Sequence, residues 1–361
     1  MFFYMPVKLY TEENCVFKHK KELAALGKRA FLITGRSSSR KNGSLQDVEE
    51  ALHTEGISTV IFDEIEENPS IETVMKAREQ GLEAGVDFVV GIGGGSPMDA
   101  AKAIALMIRH FKEGSSYLYQ AGSDSSALPV AAVPTTCGTG SETTPYAILT
   151  IHEKRTKASI SHRIFPALAL LDPRYLQTAP GHLINDTAVD ALGHLVESFI
   201  NTNATDYSRM CVLTGLSVWK KSRDIFLGKR EAGIRDYENM LTASAMAGMA
   251  ISHTGTSLPH GLSYYLTYEK GIPHGKAVGR FLPGYLREAA QEETSLILEK
   301  AGFSNPDDLE RFYTAVCGQE TEGAVSRKLK EEAISGILAN PGKLKNCPYP
   351  VNEAVLQRIW G

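Results

Sequence analysis

The sequence predicts an α/β N-terminal dinucleotide-binding domain followed by an all-α C-terminal domain. Three observations carry this. Short apolar runs ending in glycine or hydroxyl residues alternate with helix-period segments through about residue 180, the pattern of a doubly wound parallel sheet. Beyond that point strand-like runs become scarce and helical segments follow one another. A chain of 361 residues also exceeds what one small core organises. The boundary falls near Pro180–Gly181, giving an α/β domain over 1–180 and a helical domain over 181–361.

Taken in order, Arg29–Gly35 (RAFLITG) is an apolar run bounded by turn chemistry and predicts a buried strand. Leu45–His53 has helical spacing, and STVIFDEI after it reads as a second strand. Ile71–Ala84 is a helix, and Asp87–Ile92 is a third strand running into Gly93, Gly94 and Gly95. VAAVPTT and ALALLD supply two further strands. In the second half, Asp190–Ser198, Ser208–Lys221, Arg235–Ser252, Leu282–Ala301, Pro306–Val316 and Ser326–Leu338 read as helices. His260 closes the small-residue-rich helical stretch ASAMAGMAISHTGTSLPH, and His274, after Pro273, sits at a helix start.

Composition narrows the function classes. Hydrophobic residues at 43% and charged residues at 22% describe a soluble globular chain. A net charge of −4 leaves no basic footprint for nucleic acid. No apolar run reaches membrane-spanning length, and MFFYMPVKLYTEEN lacks the charged start and apolar core of a signal peptide. Five scattered cysteines with no C-x-x-C pair exclude a cysteine-type zinc knuckle and fit a reducing compartment, so a cytoplasmic location is expected.

Two loops suggest nucleotide binding. In FVVGIGGGSPMDAAK an apolar strand meets glycines and then a helix with Asp99 in its first turn, where backbone amides can approach a diphosphate. A tight strand-to-helix turn is the competing reading of the same residues. PTTCGTGSETT then offers Thr135, Thr136, Thr139 and Ser141 hydroxyls after another strand; Cys137 there reads as a packing residue. After the first strand, TGRSSSRK places Gly35 where an NAD enzyme carries an acid. Arg36, three serines, Arg40 and Lys41 follow, which suits the 2′-phosphate of NADP unless the loop is simply a solvated basic one.

Metal chemistry enters with Asp190 and His194. They are four residues apart, so both project from one helix face, one turn apart. An ion pair or a capping contact is the structural alternative. His260 and His274 are the further donors, and one carboxylate with three imidazoles suits Fe²⁺, Zn²⁺ or Mn²⁺.

Together GGGSPMDAAK, PTTCGTGSE, DALGHLVE, LPHGL and GIPHG, in this order, resemble the iron-containing (group III) alcohol dehydrogenase family, of dehydroquinate-synthase-like fold. The resemblance covers nearly the whole chain and is nearest to the butanol and 1,3-propanediol dehydrogenases, with TGRSSSRKNGS similar to their NADP-using members. It implies Asp190, His194, His260 and His274 as metal ligands at the catalytic centre, holding Fe²⁺, with Zn²⁺ or Ni²⁺ also accepted. It implies Gly94, Gly95 and Ser96 at the cofactor diphosphate with Asp99 close by, and Thr135, Thr136 and Thr139 near the phosphates and nicotinamide. Lys157 matches a contact to the nicotinamide-side ribose and Leu176 an apolar cofactor contact, while Gly35, Arg36, Ser37, Ser38 and Ser39 would surround the adenosine 2′-phosphate. Some members carry a relay histidine four residues after the third ligand; here that position is Tyr264. His253, seven residues before His260, either lines the substrate pocket or is a packed helix-face residue.

The implied reaction is reversible hydride transfer between a primary alcohol and NADP(H), NAD being the other candidate, with the metal polarising the substrate oxygen. A dehydroquinate-synthase-like lyase using NAD and a divalent metal, and a non-catalytic nucleotide or metal sensor, are the alternatives. The expected partner is a small alcohol or aldehyde, without nucleic acid or membrane, and a homodimer is the expected assembly.

Overall fold

Both faces of β2 (Arg29–Gly35) are buried, and its side chains alternate between two cores. Phe31 and Ile33 enter one core with Val74, Ala77, Ile104 and Leu106, whereas Ala30 and Leu32 enter the other with Leu45, Val48 and Leu52. A strand covered on both sides has no polar face, which is why RAFLITG is apolar almost throughout. In the computed structural model, which describes residues 1–154, 156–318 and 326–361, the chain divides into two units.

The first unit comprises Met5–Thr136 and Gly140–Ala179. Besides β2 its strands are β1 (Lys8–Thr11), β3 (Ser58–Ile65), β4 (Phe88–Gly93), β5 (Val130–Pro134), β6 (Ile148–Ile151), β7 (Thr156–Ser159) and β8 (Leu168–Leu171). Six of them form a sheet in the order β1-β8-β5-β4-β2-β3, every pair parallel. The chain leaves β2 for β3 on one side and resumes with β4 on the other. The crevice beyond the carboxyl ends of β2 and β4 is therefore a topological switch point, where open α/β sheets bind ligands. The helices Ile71–Ala84 and Gly95–Arg109 cover one face, and Ser44–Thr54 covers the other. β6 and β7 form a separate antiparallel hairpin.

The second unit comprises Met1–Tyr4, Cys137–Thr139 and Pro180–Gly361. Its long helices are Gly181–Phe199, Asp206–Trp219, Ile234–Thr254 and Leu258–Lys270, followed by shorter ones. Trp219 anchors them: its indole N–H donates to the Ala188 carbonyl at 2.7 Å, and Phe226, Phe303 and Phe312 surround its ring at 5.3–6.1 Å. Among the described residues no helix is long and apolar enough to cross a membrane.

Two expected helices differ. The stretch before His260 does not run through as one helix: the first ends at Thr254, Gly255 turns the backbone with φ 70°, and a new helix starts at Leu258. That positive φ is open to glycine and strained for other residues. Leu282–Ala301 is likewise two helices, Leu282–Glu288 and Gln291–Ala301, with Ala289 and Ala290 extended between them. No glycine or proline marks that break, so helical periodicity alone runs through it. The four-residue edge strand β1 and the β6–β7 hairpin are additions to the expected elements.

Candidate metal centre and nucleotide loops

The Gly181–Phe199 helix carries Asp190 and His194 one turn apart, both buried. His260 comes from the first turn of Leu258–Lys270, and His274 from the start of the short helix His274–Gly279. Glycine brings that short helix close: a Cβ on Gly275 would lie 1.8 Å from the Asp186 carbonyl oxygen and 3.0 Å from Asp190 Cβ. No other residue lets His274 reach Asp190 at this depth.

Asp190, His260 and His274 bring their ligand atoms together, and His194 adjoins them through its ring. His260 Nε2 lies 3.4 Å and His274 Nε2 3.8 Å from Asp190 Oδ1. The His194 and His260 rings stack at 4.3 Å, and the His260 and His274 rings meet edge-on at 5.3 Å. One ligand atom each from Asp190, His260 and His274 falls within 4.8 Å of the others, and the 3.4 and 3.8 Å separations from Asp190 are within the roughly 4 Å that one ion bonded at about 2 Å can span. Asp190 Oδ1 and His260 Nε2 are buried and have no hydrogen-bond partner among the described residues, a costly state that a bound cation relieves. A divalent ion of the iron or zinc type fits this donor set.

The local electrostatics suit a cation. Burial opposes charge on Asp190, but His194, His274 and His260 outweigh it and hold the carboxyl below the usual range. Burial pulls His194 down to about 4, against the attraction of Asp190. His260 is equally buried, yet Glu197 and Asp190 carry it up to about 9. The difference is its partner. His194 Nδ1 faces the Gly138 carbonyl at 3.2 Å, whereas His260 Nδ1 donates to the Glu197 carboxylate. Glu197 was not among the residues expected from sequence. Its spacing of seven from Asp190 was visible, but its complete burial was not.

Around this cluster, Tyr264 stacks on His274 with ring centroids 5.8 Å apart, and Lys343 Nζ sits 5.5 Å from the centre of the Tyr264 ring. His253 is taken up by the amino terminus: its Nε2 accepts from the Tyr4 amide at 3.0 Å and Phe3 stacks on its ring at 4.5 Å. Its Nδ1 lies 2.8 Å from the Met249 carbonyl, so both ring nitrogens are occupied, as the packed alternative requires.

In the α/β unit, Gly94, Gly95 and Ser96 lie at the amino end of the 15-residue helix Gly95–Arg109, directly after β4. The neighbouring loop comes close: a Cβ on Gly94 would stand 3.3 Å from the Thr136 side chain. Thr135 is buried, and its amide donates to the Gly93 carbonyl at 2.9 Å. Asn68, which no sequence motif marks, links this region: its amide donates to Ser96 Oγ at 3.1 Å, and its side-chain oxygen accepts from Lys157 Nζ at 2.6 Å. Burial pulls the Lys157 ammonium down to about 8. Leu176 is fully buried at the end of a turn after β8. Thr139 belongs to the helical unit, with Cys137 and Gly138.

Asp99 is committed within the protein. Its carboxylate accepts from Ser141 Oγ at 2.5 Å and the Ile148 amide at 2.8 Å, while fully buried Lys102 donates to the carbonyls of Ser141 and Tyr146. These contacts shape the Gly140–Tyr146 segment from below. Beside them burial pushes the Glu142 carboxyl up to about 7. Because its folded value exceeds the unfolded one, ionisation costs stability progressively as pH rises from about 4.5 to 7, about 3 kcal/mol at full extent. Glu142→Gln is therefore expected to raise the melting temperature at pH 8 and leave it nearly unchanged at pH 4.5, measured by calorimetry. Equal shifts at both values would contradict this.

At the end of β2, Gly35 is half-buried and Arg36, Ser37 and Ser38 are exposed. Ser39 is turned inward: its hydroxyl is shared with Thr34 and donates to the Ile92 carbonyl at 3.2 Å. Arg40 is ion-paired with Asp63 at 2.9 Å, whereas no ion pair holds Arg36 among the described residues.

A switch-point parallel sheet with glycine-helix loops and a helical unit carrying the Asp190, His260 and His274 cluster make up the dehydroquinate-synthase-like fold. Comparison with known proteins is specific. Residues 6–173 match the family described as iron-containing alcohol dehydrogenase, and residues 184–337 match the C-terminal part of the Fe-containing alcohol dehydrogenase family. The 1,3-propanediol dehydrogenase of Citrobacter freundii is 30% identical over 318 residues, covering 86% of this chain and 77% of its own. Among solved structures, an iron-containing alcohol dehydrogenase from Thermotoga maritima superposes with a TM-score of 0.91 at 38% identity, covering 99% of this chain and 98% of its own. A sulfoacetaldehyde reductase from Bifidobacterium kashiwanohense, in complex with NAD⁺, gives a TM-score of 0.88 at 25% identity, covering 99% and 97%. The chain belongs to the iron-containing alcohol dehydrogenase family.

Proposed function

We propose that this enzyme interconverts primary alcohols, of butanol or 1,3-propanediol type, and their aldehydes by hydride transfer to and from NADP(H). The observation that carries the reading is the convergence of Asp190, His260 and His274 ligand atoms within 4.8 Å in a chain of this family. Family membership favours the dehydrogenase over a lyase of the same fold or a non-catalytic sensor.

In this reading Asp190, His194, His260 and His274 hold a divalent ion, Fe²⁺ first and Zn²⁺ or Ni²⁺ as substitutes. When bound, the ion supplies Lewis acidity toward the alcohol or aldehyde oxygen. The nicotinamide carries the redox chemistry, and the protein supplies orientation. Gly94, Gly95 and Ser96 receive the diphosphate at a helix amino terminus, with Asp99 fixing the adjoining segment. Thr135, Thr136 and Thr139 contact the cofactor towards its nicotinamide. Lys157, held by Asn68, contacts the nearby ribose, and Leu176 contributes an apolar contact. Arg36, Ser37 and Ser38 meet the 2′-phosphate, with Gly35 giving room and Ser39 supporting the loop from beneath. Tyr264, against His274, adjoins the substrate and leaves proton relay to water and the cofactor ribose.

The test is aldehyde reduction by metal-free protein reloaded with Fe²⁺ or Zn²⁺, followed by loss of nicotinamide absorbance with NADPH and then NADH. Metal-dependent butanal reduction, faster with NADPH, is the expected result. No turnover of any short aldehyde with metal and cofactor both bound would overturn the reading, and equal rates with NADH would overturn the NADP assignment alone.

A further inference from the structure

We propose that Glu197 is a positioning residue of the metal centre: it fixes the orientation and tautomer of His260 and thereby sets how tightly the ion is held. The proposal rests on the metal reading above and adds to it a residue that is not itself a ligand.

Glu197 follows Asp190 by seven positions and His194 by three on the same helix, so all three share one face. Its side chain is completely buried. Both oxygens are committed. Oε2 accepts from His260 Nδ1, while Oε1 accepts from the Ser257 amide at 2.8 Å, the Ser257 hydroxyl at 3.3 Å and the His260 amide at 3.4 Å. The carboxylate thus caps the helix that carries His260 and holds the ring of the same residue. It joins the third ligand to the helix that bears the first two.

The consequence is chemical as well as geometric. A neutral ring that donates from Nδ1 keeps its lone pair on Nε2, the form an ion requires. Nε2 is the nitrogen that lies 3.4 Å from Asp190 Oδ1, buried and without a hydrogen-bond partner among the described residues. A carboxylate behind a ligating imidazole also raises its basicity, which a neutral acceptor does less well. His194 faces the Gly138 carbonyl in that place. His260 is therefore the ligand that has a buried carboxylate behind its ring. The far side of the cap is fixed too: Ser257 Oγ lies 3.0 Å from the Tyr285 hydroxyl, which donates to the Ile200 carbonyl at 2.8 Å.

The experiment measures Co²⁺ affinity of the full chain by chelator competition, together with the visible absorption of bound Co²⁺, for wild type, Glu197→Gln and Glu197→Leu. Glutamine keeps an acceptor and loses the charge; leucine loses both. Affinity is expected to fall roughly 10-fold for Gln and roughly 100-fold for Leu, with an altered cobalt spectrum in each. A role confined to joining the helices would lower the melting temperature of the metal-free Gln variant and leave Co²⁺ affinity and spectrum as in wild type; that result overturns the proposal. Because the Gln variant is nearly isosteric, the outcome stands even if the Leu variant does not fold. Wild type that takes up no stoichiometric Co²⁺ overturns the metal centre itself, and this assignment with it. Wild-type binding with an unmoved Gln variant overturns the role of Glu197 alone.

Discussion

Replacing His260 with alanine is expected to remove bound metal and turnover together, while NADPH still binds. The imidazole supplies one of the three ligand atoms that converge within 4.8 Å. Without it the ion loses both a ligand and the partner through which Glu197 acts, leaving Asp190, His194 and His274. Lewis-acid stabilisation is worth several kcal/mol, so turnover should fall by at least about 10³-fold. The residues assigned to the cofactor lie, except for Thr139, in the α/β unit and are not changed by the substitution. The variant also leaves Glu197 buried without its imidazole partner, which lowers stability by about 3 kcal/mol or more. His260→Gln keeps a polar partner there and separates the two effects: it should lose metal with less loss of melting temperature. Elemental analysis of metal content and NADPH fluorescence read the two halves independently. Retained metal with full activity in either variant would refute the assignment of His260.

The residues of this centre were legible to different degrees, for physical reasons. Asp190 and His194 could be paired because helical spacing is a local property. His260 and His274 could be nominated as donors from residue type, but the helix that positions His260 was placed wrongly, since Gly255 ends the preceding helix within an otherwise periodic stretch. Glu197 lay on a readable helical face, yet nothing local distinguishes a buried glutamate from a solvated one; only the packing of the Leu258–Lys270 helix makes it a partner of His260. Asn68 shows the limit most clearly. Its contacts to Ser96 and Lys157 span 28 and 89 residues, and no spacing rule reaches that far. The parallel strands were readable because burial on both faces leaves them apolar, whereas β1, four residues long at an edge and only partly buried, carries too little pattern.

Arg36 carries the second large expected effect. Of the guanidinium groups after β2, Arg40 is held by Asp63 at 2.9 Å, while Arg36 is exposed and makes no ion pair among the described residues. A guanidinium held elsewhere must break that pair to receive a phosphate; Arg36 need not. A charge-assisted bond to phosphate is among the stronger polar contacts, and losing it should reduce kcat/KM for NADPH by roughly 10- to 100-fold in Arg36→Ala. NADH has no 2′-phosphate, so its kcat/KM should stay within about twofold, and the effect should appear in KM with kcat little changed. The reverse design, an acid at position 35 to favour NAD, meets a steric obstacle. A Cβ on Gly35 would stand 3.3 Å from the Ile65 carbonyl, where β2 and β3 shift register between Ile33 and Gly35. Gly35→Asp should therefore weaken NADPH use by charge while gaining little with NADH, because the strand edge has to give before the carboxylate can reach a ribose. Equal losses for both cofactors in Arg36→Ala would mean that the arginine serves the loop and not the phosphate, and a gain with NADH in Gly35→Asp would show that the β2–β3 edge yields more readily than its backbone spacing implies.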